Sequence, residues 1–166
     1  MASGDSLVIL TPQANEAPAA SYATLDLRNA HPVLDFDADA DESAVFTGIL
    51  PRNYAGGGLT VNLHWAASTD TNAAHACVWE VSFEAISGLD IDGDSFAAIQ
   101  FLHGHPNGTS GIETVTAIPF ADGGEMDSIA VGGAFRVKVS RDADATNDTD
   151  DMTGDAELLV VEIQET

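Results

Sequence analysis

Hydrophobic and polar positions alternate with a period of two over much of the chain. Leu59, Val61, Leu63 and Trp65 are separated by Thr60, Asn62 and His64. Val81, Phe83 and Ala85 are separated by Ser82 and Glu84, and Phe135, Val137 and Val139 by Arg136 and Lys138. A period of two puts one set of side chains on each face of an extended strand, so these segments predict half-buried strands. Further strands are predicted over 22–28, 33–36, 44–50, 96–102, 112–120 and 156–164. The last carries a continuous apolar centre, Leu158-Leu159-Val160-Val161, as a central strand covered on both faces would.

Turn chemistry separates these runs: Pro51-Arg52-Asn53-Tyr54, Gly56-Gly57-Gly58, His105-Pro106-Asn107-Gly108 and Asp122-Gly123-Gly124. Helical periodicity is confined to a short stretch over 123–131, limited by its glycines. Successive strands without helices between them predict an all-β fold, an antiparallel β-sandwich of jelly-roll type. Residues 1–21, punctuated by Pro12 and Pro18, predict an extended N-terminal arm, followed by one β-sandwich domain over 22–166.

Charge narrows the partners. The 166 residues include 27 acidic and five basic side chains, a formal charge of −22. So few cations cannot neutralise phosphates, which excludes nucleic acid and argues against an anionic membrane surface. No run of 18 apolar residues and no basic, apolar leader is present, so synthesis in the cytoplasm without a signal peptide is expected. The single cysteine, Cys77, excludes an internal disulfide and reads as a small core residue.

Candidate chemistry is sparse. Aspartates cluster at 35–41, 90–94 and 142–151, and calcium takes six to eight oxygens from such loops. Asp90, Asp92 and Asp94 are therefore candidate calcium ligands, although the glycine spacing excludes an EF-hand and no cofactor is required by the pattern. No Gly-x-Ser-x-Gly, Walker loop or zinc motif occurs, so no catalytic residues are predicted. Arg52 with Tyr54 beside it offers an interface anchor, because these two residue types dominate hot spots. A sugar site on Trp65 or Tyr54 is the competing use of the aromatics.

Several stretches resemble small structural proteins encoded among the virion genes of tailed bacteriophages. They are Ser21–Asp37, Ala44–Val61, Asp127–Ala130, Phe135–Asp142 and Gly154–Thr166, so the resemblance spans nearly the whole chain. It implies a non-enzymatic, jelly-roll-like virion component made in the host cytoplasm. The leading expectation is a capsid decoration (cement) protein that stabilises the head as a homotrimer on the major capsid protein or other virion proteins. The alternatives are a tail- or fibre-associated protein that binds the host surface, and a carbohydrate-binding jelly-roll module.

Overall fold

A computed structural model of the chain describes residues 4–166. Among the described residues ten strands build two antiparallel sheets. The strands are β1 (Ser6–Leu10), β2 (Thr24–Arg28), β3 (His31–Phe36), β4 (Glu42–Ile49), β5 (Leu59–Ala67), β6 (Cys77–Ala85), β7 (Gln100–Gly104), β8 (Thr114–Phe120), β9 (Ala134–Arg141) and β10 (Ala156–Glu165). One sheet has the order β2-β3-β10-β5-β8, with β1 also paired to β10; the other has the order β4-β9-β6-β7. The predicted all-β sandwich is therefore what forms. Among the described residues no helix is long and apolar enough to cross a membrane.

The core lies between the sheets and is set by the alternation. Phe36, Phe46, Leu63, Trp65, Trp79, Val81, Phe83, Phe135, Val137, Val139, Leu158 and Ile163 all point inward and are buried. The aromatic rings meet edge to face, Phe36 on Trp79 at 5.0 Å and Trp65 on Trp79 at 5.7 Å between centroids. Trp65 also donates its indole N–H to the Thr116 hydroxyl at 3.0 Å. Gly104 leaves room for that pair: a Cβ there would lie 2.4 Å from Thr116 Oγ1 and 2.8 Å from the Trp65 ring.

Strand β10 organises the larger sheet. One of its edges pairs with β5 from Ala156 to Glu165, with a register shift between Leu158 and Val160. The other edge is shared: β3 pairs with residues 156–158 and β1 with residues 161–164. The sheet thus forks around Leu159 and Val160. A 3-10 turn, Pro12–Ala14, packs against both β3 and β10 beside this fork, with Pro12 buried. On the far side of β3, a two-residue turn, Asn29-Ala30, carries the chain from β2, both residues at positive φ (47° and 66°) as a type I′ hairpin requires.

Four expectations change. Residues 6–10 of the expected arm are a strand of the sheet, because Val8 and Leu10 reach the core. The strand predicted over 96–102 begins at Gln100. The preceding segment crosses the outer face of the four-stranded sheet instead, where the Phe96 ring lies 5.2 Å from the Arg136 guanidinium and 5.1 Å from the Lys138 ammonium. That cover helps explain why β6 is buried on both faces, including Glu80, Ser82 and Glu84, rather than half-buried. Finally, the helix suggested over 123–131 reduces to one 3-10 turn, Gly124–Met126, ended by Asp127 and Ser128 at positive φ.

Candidate functional site

The outer face of the six-stranded sheet carries a groove at the fork. Its larger part is a hollow of about 740 Å³ between the 3-10 turn, the β2–β3 hairpin and β10. A second hollow of about 450 Å³ follows β10 toward β5. Both are floored by Leu159 and Val160, so they form one continuous depression. Such concave surfaces, an apolar floor with a few convergent polar groups, are where small ligands bind.

Arg28 spans the first hollow. Its guanidinium pairs with Glu157 of β10, donates to the Ser110 hydroxyl at 2.7 Å and reaches the Ala67 carbonyl at 3.3 Å. Gly111 takes positive φ (76°) directly beneath it, where a Cβ would lie 2.7 Å from the guanidinium. Edge strand, central strand and the loop before β8 are tied together by one side chain. Thr11, Gln13, Asn29 and His31 complete the polar lining.

His64 organises the second hollow. Its Nδ1 lies 2.5 Å from a Glu113 carboxylate oxygen and its Nε2 lies 3.6 Å from Glu162. Glu162 also accepts from the Ser6 hydroxyl and from Asn62 at 3.0 Å. The Ser6 bond above all, then Asn62 and His64, hold its carboxyl below the usual carboxylate range. Asp35, cross-strand from Glu157, is different. Burial, then the charges of Asp155, Glu157, Asp26 and Glu42, push its carboxyl up to about 6.

The residues singled out from the sequence lie elsewhere. Tyr54 is buried, and its hydroxyl donates to the Gly57 carbonyl at 2.5 Å. It therefore serves the chain's own packing and does not present an interface anchor; Arg52 is exposed in the turn beside it, close to Gly132. Trp65 and Trp79 are both fully buried, so the sugar-stacking role considered for Trp65 or Tyr54 is corrected. Asp90, Asp92 and Asp94 lie in the loop after β6, where Asp90 accepts from the Asp92 amide at 3.1 Å and Asp94 from the Ser95 amide at 2.8 Å.

The acidic group that does converge is Asp41, Asp142 and Asp144, with carboxylate oxygens within 4.8 Å of one another. Asp142 is buried and already accepts from the amides of Thr146, Asn147 and Asp148 at 2.9, 2.7 and 3.2 Å. Arg141 pairs with Asp150 and not with its neighbour Asp142. That pair is fully buried and bidentate, at 2.9 and 2.8 Å, and Arg141 also donates to the Gly154 and Met152 carbonyls at 2.9 and 2.6 Å. Burial pushes the Cys77 thiol up beside it, which makes that sulfur inert.

No family model matches the chain, and no curated protein matches it. Among solved structures it is similar to the CBM22-2 xylan-binding domain from Paenibacillus barcinonensis Xyn10C, at 12% identity over 92% of each chain with a TM-score of 0.51. The xylan-binding module CBM15 aligns at 11% identity over 96% of this chain and 97% of its own, with a TM-score of 0.49. The likeness is one of fold. At such identity no residue role transfers, and what the first comparison supports is the jelly-roll-like β-sandwich itself.

Proposed function

We propose that the chain is a non-catalytic carbohydrate-binding module whose ligand lies in the groove on the six-stranded sheet. The observation that carries this reading is the continuous depression floored by Leu159 and Val160, with Arg28, His31, His64 and Glu162 converging on it. Its aliphatic floor suits the C–H face of a sugar ring, and its amide, imidazole and hydroxyl groups suit sugar hydroxyls. The similarity in fold to a xylan-binding domain supports the same reading. Affinity electrophoresis of the full chain against a panel of soluble polysaccharides tests it. A retarded band is expected, with retardation lost in Ile9→Asp, an exposed groove-wall position whose change leaves the core intact. Binding unchanged in that variant, or no binding to any member, would overturn it.

A second reading is favoured by Leu25 and Leu27, which are 53% and 65% exposed on the edge strand β2. An exposed apolar edge suits a protein partner. With the resemblance to virion proteins, it supports a decoration protein that assembles as a homotrimer on the major capsid protein, with Arg52 at a contact. Leu27→Lys is then expected to abolish assembly on particles while leaving the melting transition of the free chain within about 1 kcal/mol. Normal assembly of that variant would remove this reading.

A further inference from the structure

We infer that the groove accepts an uncharged, hydroxyl-rich glycan and discriminates against polyanionic ones; this rests on the carbohydrate-binding reading above. Acidic polysaccharides are held by cations that form bidentate pairs with carboxylate or sulfate. The chain has five cationic side chains in all. Arg141 is fully buried and bonded to Asp150. Arg136 and Lys138 flank Phe96 on the outer face of the opposite sheet. Arg52 sits in the turn beside Gly132.

Of the five, only Arg28 lines the groove, and its charge is matched by Glu157 while Nη2 donates to the Ser110 hydroxyl and Nη1 reaches the Ala67 carbonyl. A ligand anion would have to share that guanidinium with Glu157, whose carboxylate already neutralises it. It would also approach Glu157, Glu113 and Glu162, which border the depression. Of the carboxylates along it, Glu113 is the most exposed, its side chain half open to solvent, so it meets an incoming polymer first. Like charges placed opposite one another in a binding site act mainly to reject the wrong partner. An uncharged polyol meets no such barrier. Its hydroxyls both donate and accept, and Gln13, Asn29 and His31 offer both donors and acceptors along the wall.

Binding of the full chain to soluble xylan and hydroxyethylcellulose, both without charge-bearing backbones, is compared with binding to polygalacturonate in 0.15 M sodium chloride. At least a tenfold weaker affinity for polygalacturonate is expected. Glu113→Lys is expected to narrow that gap about tenfold at low salt, and Glu113→Gln to narrow it less. Polygalacturonate bound as tightly as the neutral polymers overturns the inference and leaves carbohydrate binding standing. A gap unmoved by both variants places the discrimination outside the groove and also overturns it. Failure to bind any of the three, or any other polysaccharide, instead removes the carbohydrate-binding reading itself.

Discussion

Asp35→Asn is expected to stabilise the protein at neutral and alkaline pH and to do nothing in acid. Asp35 stands on β3, directly across from Glu157 on β10. One of its carboxylate oxygens is buried without a hydrogen-bond partner, and its carboxyl is pushed up from 3.8 to about 6. The folded state therefore prefers the protonated acid. Relative to the unfolded chain, that preference favours folding fully below pH 3.8 and is lost as pH rises through about 6. A shift of about two units corresponds to a ceiling of about 3 kcal/mol at about 1.4 kcal/mol per unit. The carboxyl is only partly removed from water, so screening brings the expected gain down to about 1 kcal/mol. Asparagine keeps the shape, removes the charge and adds a donor toward Glu157 and Asp155. Urea unfolding at pH 3.5, 5 and 8 reads the effect. The variant's advantage should be near zero at pH 3.5, intermediate at pH 5 and about 1 kcal/mol at pH 8, equivalent to a rise in Tm of about 2–4 °C for a domain of this size. An equal effect at all three values, or a loss of stability at pH 8, would refute the electrostatic argument.

Asp150→Ala leaves the fully buried Arg141 guanidinium without its bidentate partner and should cost about 3–5 kcal/mol in chemical denaturation. Gly104→Ala forces a methyl against Thr116 and the Trp65 ring, so a loss of about 1–3 kcal/mol is expected, together with a blue- or red-shifted tryptophan emission. Asp70 bonds His75 and the Asn72 and Thr153 amides, and its carboxyl is held down to about 2, chiefly by His75, against the opposing effect of burial. Its stabilisation is present above pH 3.8 and fades as pH falls through about 2, so Asp70→Asn should be less stable than the native chain at pH 5 and converge with it in acid titrations.

The period-two alternation made the sandwich legible because each strand keeps one face on the core. Phe135, Val137 and Val139 against Arg136 and Lys138 show this in β9, inward residues buried and outward ones not. The apolar centre of β10 was also readable as a central strand. Its further meaning was not: Leu158 and Val161 face the core, while Leu159 and Val160 floor a groove, and only the register shift between them separates the two roles. The Arg28–Glu157 and His64–Glu113 contacts join residues 129 and 49 positions apart, distances over which no local pattern operates. Alternation also fails where tertiary cover is non-local. Glu80, Ser82 and Glu84 read as solvent-facing, and are instead buried on the face that the Phe96 segment crosses. Leu7-Val8-Ile9-Leu10 looked like part of an arm because a five-residue strand leaves little period to detect.

The antiparallel pairing of β1 with β10 gives the molecule a mechanical weak side. Ser6 lies opposite Gln164, the Gly4 amide bonds the Glu165 carbonyl at 2.7 Å, and the Glu165 amide bonds the Asp5 carbonyl at 3.0 Å. A pull applied to both ends of the chain therefore acts across the hydrogen bonds of this pair, opening them one after another like a zipper instead of shearing them together. The strand that peels first carries Ile9, and the residues drawn out behind it are Thr11, Pro12 and Gln13, one whole wall of the groove. In a tethered setting, tension on the ends is expected to loosen whatever the groove holds before the remaining sandwich yields, an order that single-molecule stretching with and without bound ligand would reveal.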